Sequence, residues 1–347
     1  MSTSAPVAID PWYLDHLVCP RDHGHLLQDG TDLRCDRGHR YPIVAGIPVM
    51  LLGDVAHTID VAGASLRQAA APVPDDPLFL ETLSLSDDEK RGIAALARRG
   101  SLVDPMVAYL VAATNGLMYR HLIGRLVRYP IPEIALPPGN GRPLLDIGCS
   151  WGRWSLAASA LGYAAVGIDP SLGAVLAAQR VARQLGRQAR FVVGDARHLP
   201  FPDGCFATAF SYSVIQHFSK ADAARALAEM GRVLMPGGQA RVQMPTRFGI
   251  RCLYHQLRRG FREGQGFDVR YWTIPELQRE FAAAIGPAAL EADCFFGIGL
   301  QPSDAALMSP ARRLVLRAST LLTAASARIP ALVWIADSVF VRAVKAV

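Results

Sequence analysis

From about residue 144 onward, short apolar runs alternate with stretches of helical period. The runs are Leu144-Leu145-Asp146-Ile147, Val166-Gly167-Ile168-Asp169, Phe191-Val192-Val193-Gly194-Asp195, residues 207–211 and residues 239–244. Runs this short and this continuously apolar predict strands buried on both faces, and the intervening helical pattern predicts parallel crossovers. Two further runs, residues 292–296 and 338–344, predict a sixth and a seventh strand. Upstream, Ser86-Asp87-Asp88-Glu89 predicts a helix start, and residues 106–127 carry apolar positions at helical spacing. Pro275-Glu276-Leu277 predicts another helix start, and residues 303–333 form a helical insertion between the last two strands.

Punctuation divides the chain into three parts. Residues 11–53 form a small module rich in Cys, His and Gly. Residues 54–136 begin with an Ala, Pro and Asp-rich linker to about residue 80 and continue as a helical region. Residues 137–347 form the α/β domain, opened by Pro137-Pro138-Gly139-Asn140-Gly141.

The first apolar run ends in an acid, breaks into Gly148-Cys149-Ser150-Trp151-Gly152, and restarts as a helix at Arg153. A second acid, Asp169, ends the next run. That spacing suits a nucleoside: the turn lets backbone approach the ligand, and the second acid takes ribose hydroxyls. A dinucleotide turn wants a third glycine so that a diphosphate can sit on the helix N-terminus. Arg153 stands there instead, and Asp146 beside the turn would repel a diphosphate. A ligand with a cationic amine and no phosphate fits better, and S-adenosylmethionine is such a ligand.

Asp195-Ala196 follows the third run, Ser211-Tyr212 ends the fourth, and Met235-Pro236-Gly237-Gly238 precedes the fifth. With these motifs in order, residues 140–300 plus the last strand resemble the Rossmann-like, class I S-adenosylmethionine-dependent methyltransferases of the ubiquinone/menaquinone type. The resemblance implies a seven-stranded sheet whose sixth and seventh strands pair antiparallel at one edge. It implies that Asp146, Gly148, Ser150 and Gly152 hold the methionine end of the cofactor and Asp169 the ribose. Asp195 and Ala196 would face the adenine, and Ser211 and Tyr212 the methyl group. Ser150 departs from the family's usual glycine; serine is small and tolerates tight turns.

In the N-terminal module, Cys19-Pro20-Arg21-Asp22 and Cys35-Asp36-Arg37-Gly38-His39 form two knuckles. A structural zinc takes four ligands from two tight turns. Cys19, Cys35 and His39 are good ligands, and Asp22 holds the fourth position, with His23 and His25 nearby. The module resembles the Trm112-like zinc ribbon, found alone or fused to methyltransferases. The resemblance implies either a structural zinc or a metal-free ribbon packed on the catalytic domain.

Methyl transfer to a hydroxyl benefits from a base. His217, after the fourth strand, is the best-placed candidate, with loop ordering as its alternative role. Tyr212 is a second candidate. The motif set favours a small-molecule, glycan or lipid-linked acceptor methylated at oxygen. An rRNA or tRNA methyltransferase is the alternative, suggested by the ribbon and the basic balance. A non-catalytic methyltransferase-like partner protein is a third reading, opposed by the intact cofactor motifs.

Composition sharpens this little. The chain has 347 residues, 51% hydrophobic and 19% charged, with net charge +6. That charge does not establish nucleic-acid binding but suits an anionic partner or surface. The N-terminus lacks a basic segment followed by an apolar run, which predicts no secretory signal. Six scattered cysteines predict free thiols in a reducing cytoplasm. Arginines crowd residues 245–271. Arg312, Arg313 and Arg317 lie among leucines in the insertion, predicting an amphipathic helix that packs on the domain, lids the site or touches a membrane peripherally.

Overall fold

A computed structural model of the chain describes residues 9–58, 60–71, 77–297, 299 and 301–347. The N-terminal module consists of α1 (Pro11–His16) and a four-stranded antiparallel sheet, β1 (Leu26–Asp29), β2 (Asp32–Cys35), β3 (Arg40–Val44) and β4 (Ile47–Pro48). Then come α2 (Val61–Ala69), a 3-10 turn at Leu80–Thr82, α3 (Asp87–Arg99) and α4 (Pro105–Asn115). Ser86 and Glu89 form the reciprocal cap of α3, as their spacing predicts.

The α/β part runs β5 (Pro143–Ile147), α5 (Arg153–Ala160), β6 (Ala164–Asp169), α6 (Leu172–Gln184), β7 (Ala189–Val193), β8 (Phe206–Ser211), α7 (Lys220–Val233) and β9 (Leu234–Pro245). It continues with α8 (Ile250–Arg258), α9 (Ile274–Ala284), β10 (Ala288–Cys294), α10 (Pro310–Ser326) and β11 (Ser338–Val344). The seven strands lie in the order β10-β11-β9-β8-β5-β6-β7. The five from β9 to β7 are parallel; β11 pairs antiparallel with both β9 and β10. The fold is thus α/β with a Rossmann-like seven-stranded sheet. Strand order reverses between β5 and β8, where such sheets open a crevice at the carboxyl ends of their strands.

Three expectations need correction. Residues 106–127 are not one helix: α4 stops at Asn115 and a 3-10 turn, Leu117–Leu122, follows. The sixth strand is Ala288–Cys294 rather than 292–296, because its pairing with β11 begins at Ala288 opposite Ala343. The segment 54–80 is more than a linker. It contains α2, and Ser65 donates to the Pro170 carbonyl at 2.7 Å, just ahead of α6.

The three sequence-level divisions share cores. Leu17, Leu26, Leu33 and Tyr41 of the N-terminal module belong to the same buried cluster as Ile147, Ile168 and Val242 of the sheet. Met106, Leu110 and Val111 of α4 pack in one cluster with Leu172 and Val175 of α6. The module also covers the exposed edge of the sheet. Met50 N–H donates to the Val193 carbonyl at 2.7 Å, and Tyr13 donates its hydroxyl to the Phe191 carbonyl at 2.8 Å. Both acceptors lie on β7, whose free edge would otherwise template association.

Candidate functional site

A cavity of about 430 Å³ opens at the carboxyl ends of β5, β6 and β8. Its floor is the turn after β5. Gly148 has φ 74, and a Cβ there would come within 2.2 Å of Val214, so glycine is needed on both counts. Ser150 also lies at positive φ, 47. A non-glycine residue there costs roughly 1–3 kcal/mol, held by surrounding bonds. One such bond is that of the Ser150 N–H, which donates to Asp169 Oδ2 at 2.9 Å. The departure from glycine is thereby absorbed.

Asp169 accepts a second backbone hydrogen bond from Ser171 at 2.9 Å, and burial pushes its carboxyl up to about 6. Asp146 is 1% exposed and lies behind the turn. Ser155 donates to its Oδ2 at 2.6 Å, while Oδ1 is buried with no hydrogen-bond partner among the described residues. Burial pushes Asp146 up to about 7. A buried carboxylate with one satisfied and one orphaned oxygen suits a cation arriving in the adjacent cavity.

Asp195 and Ala196 line the cavity. Burial alone would raise Asp195, but hydrogen bonds from Arg197 outweigh it and hold the carboxyl below its ordinary range. Arg197 Nη2 lies 2.6 Å from Asp195 Oδ2. Tyr212 lines the cavity and packs against Trp154, ring centroids 4.6 Å apart and planes tilted by 34°. Its hydroxyl donates to Asp293 at 3.0 Å and accepts from Gln301 at 2.7 Å. Burial raises its pKa well above the ordinary value, so it stays a neutral donor.

His217 also lines the cavity. Its Nδ1 lies 2.7 Å from the Phe267 carbonyl, which can only accept, so Nδ1 carries the proton. Nε2 then accepts from the Gln216 amide at 3.3 Å. Burial pulls its pKa down to about 4. Both ring nitrogens are therefore engaged.

Three of the expected cofactor residues lie outside the cavity lining: Asp146 behind the turn, Ser211 and Gly152. Ser211 is fully buried in β8 and donates to the Ile147 carbonyl at 3.0 Å. Gly152 faces inward: a Cβ there would meet Ala178 and Phe191, each at 3.0 Å. Its role is close packing of turn against α6 and β7.

Sequence reasoning missed one whole wall. His57, Val61, Leu83, Leu110 and Ala113, all from the region between the module and the α/β part, line the cavity opposite the turn. Trp151 Nε1 donates to Thr114 Oγ1 at 3.2 Å, tying α4 to the turn. The helical spacing of α4 was a signal, but nothing local says what its face covers. Arg153 also lines the cavity and pairs with Asp304 of the insertion at 3.0 Å, both groups being buried. Tyr119 donates to the same carboxylate.

In the N-terminal module the structure brings Cys19, Asp22, Cys35 and His39 together, with one ligand atom from each lying within 4.8 Å of the others. His39 Nδ1 lies 3.4 Å from Cys19 Sγ, 3.2 Å from Cys35 Sγ and 3.3 Å from Asp22 Oδ2. Four ligands of this chemistry from two turns fit a tetrahedral structural zinc. His23 and His25 are not part of the cluster.

Residues 144–238 match the family described as "Methyltransferase domain". The chain is 36% identical over 98 residues to the malonyl-[acyl-carrier protein] O-methyltransferase of Serratia marcescens, covering 28% of this chain and 36% of that protein. It is 37% identical over 109 residues to the demethylmenaquinone methyltransferase of Thermus thermophilus, covering 31% and 48%. It is 37% identical over 100 residues to "Probable tRNA methyltransferase 9B" of Bos taurus, covering 28% and 20%. The chain thus spans less than half the length of each of these relatives. The matched segment has the pattern of a methyltransferase domain.

Proposed function

We propose that the protein transfers the methyl group of S-adenosylmethionine to an oxygen of a small-molecule, glycan or lipid-linked acceptor. The observation that carries this reading is the continuity of the cavity. The Gly148–Ser150 turn and Asp169 line it together with Val61, Leu83, Leu110 and Ala113 from the region before the α/β part. One space thus offers a nucleoside seat and an acceptor seat. The similarity to an O-methyltransferase supports oxygen.

When bound, the cofactor supplies an activated sulfonium methyl, so the protein's task is alignment and exclusion of water. Gly148 and Ser150 give backbone to the methionine end, with the Asp146 carboxylate behind them. Asp169 takes ribose hydroxyls. Ala196 borders the adenine, and Arg197 orients the Asp195 carboxylate there. Tyr212, fixed by Asp293 and Gln301, directs a hydroxyl hydrogen bond at the acceptor side. His217 orders the mouth of the cavity through Phe267 rather than taking a proton, since both its nitrogens are engaged.

The RNA reading is less well supported. A flipped base is read by hydrogen bonds to its edge, and the cavity surface is mostly apolar. The Trm112-like reading of the N-terminal module extends to a structural zinc held by Cys19, Asp22, Cys35 and His39. We place the protein in the cytoplasm, where thiols such as Cys19 and Cys35 stay reduced.

Calorimetric titration with S-adenosylmethionine tests the cofactor seat. Transfer of labelled methyl into lysate separated into lipid, glycan, small-molecule and RNA pools tests the acceptor. Label confined to RNA would reverse the order of the two readings.

A further inference from the structure

The segment between β9 and α9 is pinned at its base by a bridge between Thr246 and Trp272. It carries α8, and α8 is oriented inside out. Its buried positions are Cys252 and Gln256. Ile250, Leu253, Tyr254 and Leu257, spaced as one helical stripe, face solvent, with Leu257 64% exposed. Phe248 before the helix and Phe261 after it are also exposed.

Cys252 Sγ donates to the Asp337 carbonyl and Gln256 to the Arg247 carbonyl, which holds this orientation, and Asp337, two residues after the 3-10 turn Pro330–Ile335, anchors the helix end. Its Oδ1 accepts from the backbone N–H of Arg251 at 2.6 Å and of Cys252 at 2.9 Å. This places Trp334 and Ile335, exposed by 48% and 43%, beside the N-terminal end of α8. Large apolar side chains of α8 and of the neighbouring 3-10 turn are thus left uncovered, and a cluster of exposed apolar side chains marks an interaction site.

Its rim is basic. Arg247, Arg251, Arg258, Arg262 and Arg328 are exposed, and none makes an ion pair among the described residues. Tyr254 lies under the Arg258 guanidinium at 5.8 Å. Apolar side chains flanked by arginines and an amphipathic tyrosine match the boundary between lipid headgroups and acyl chains. Among the described residues no helix is long and apolar enough to cross a membrane. The same segment contains Phe267, which lines the cavity and stacks on His217 at 3.8 Å. The segment that carries α8 therefore also reaches the cavity.

We propose that α8, together with Trp334 and Ile335, docks the protein on the surface of an anionic lipid bilayer. The acceptor is then an amphiphile resident in that bilayer, taken up beside Phe267. This second clause rests on the methyl-transfer reading; the docking surface does not.

The test is sedimentation of the full chain with vesicles of phosphatidylcholine alone and of equimolar phosphatidylcholine and phosphatidylglycerol. Binding to the anionic vesicles is expected, weakening with salt, together with a blue shift in the fluorescence of Trp334, judged against Trp334→Phe. The double substitution Leu253→Glu and Leu257→Glu should weaken vesicle binding about tenfold or more, because it puts charge into the acyl boundary. Both positions are exposed, so the melting temperature and S-adenosylmethionine affinity should hold. Arg251→Glu with Arg258→Glu should remove the preference for anionic vesicles.

Absence of vesicle binding by the unaltered protein overturns the proposal. So does binding that the leucine variant leaves intact, or a dimer in solution that the leucine variant dissociates. Vesicle binding without S-adenosylmethionine binding would sink the methyl-transfer reading and leave the docking surface standing.

Discussion

The imidazole of His217 lies flat on the ring of Phe267, centroids 3.8 Å apart and planes within 5°. Its Nδ1 also donates to the Phe267 carbonyl. Phe267 is 54% exposed, so the histidine inside the cavity is held by a residue at the surface. Substitution His217→Gln should therefore raise the acceptor KM more than it lowers kcat, and the shape of the kcat–pH profile should not change. A wild-type inflection between about pH 6 and pH 7 that vanishes in the variant would make His217 a general base after all.

The same residue sets an acid limit on stability. Its pKa is pulled down to about 4 in the fold, below the ordinary value near about 6.5. Between those values the unfolded chain binds a proton that the folded chain does not. The contribution to stability is thus complete above about pH 6.5 and falls as pH drops toward about 4. His217→Phe should flatten that part of the melting temperature–pH curve.

Asp146 and Asp169 have carboxyls raised to about 7 and about 6. A cationic ligand favours their ionised forms, so cofactor binding near neutral pH should release protons, mainly from Asp146. Affinity should rise with pH through this range, and calorimetry in buffers of different ionisation enthalpy should show the release. Asp146→Asn should abolish it. In the absence of ligand the sign for stability is opposite to that of His217. These raised acids favour the fold when protonated, and that contribution is lost as pH rises through about 6 to 7.

Asp169→Ala removes the acceptor of ribose hydroxyls and frees the Ser150 N–H. A loss of about 1.5–3 kcal/mol in cofactor binding is expected for a charge-assisted hydrogen bond. Unchanged affinity by titration would put the nucleoside elsewhere.

Asp304 neutralises Arg153 where both are buried, and Asp304→Ala leaves the guanidinium unpaired. A destabilisation of about 3–5 kcal/mol is expected in chemical denaturation. Asp304→Ala with Arg153→Met should recover much of it, since a buried pair can be replaced by apolar volume.

Elemental analysis should find about one zinc per chain, and Cys35→Ser should release it and lower the melting temperature. The sequence alone predicts a cofactor site indifferent to this change. The structure predicts otherwise: the module is bonded to β7, and the following segment supplies His57 and Val61 to the cavity wall. Cofactor affinity should fall as well. Metal-free protein with an ordered module would remove the zinc and leave the fold.

How much of this was legible in the chain follows from where each signal is written. The order of strands, the turn from Gly148 to Gly152, the acids Asp146 and Asp169, and the cluster of Cys19, Asp22, Cys35 and His39 were all legible. Strand period, glycine and cysteine spacing are local quantities, and turn chemistry at short range is enough to place them. The wall from Val61 to Ala113, the Arg153–Asp304 pair and the seat of His217 on Phe267 were not legible. Each joins residues far apart in sequence, and such contacts are decided by which faces pack. The stripe on α8 shows the difference most directly. Its amphipathic period reads the same whichever side is buried; tertiary bonds from Cys252 to the Asp337 carbonyl and from Gln256 to the Arg247 carbonyl, with the Asp337 carboxylate on the helix N-terminus, hold its apolar side to solvent.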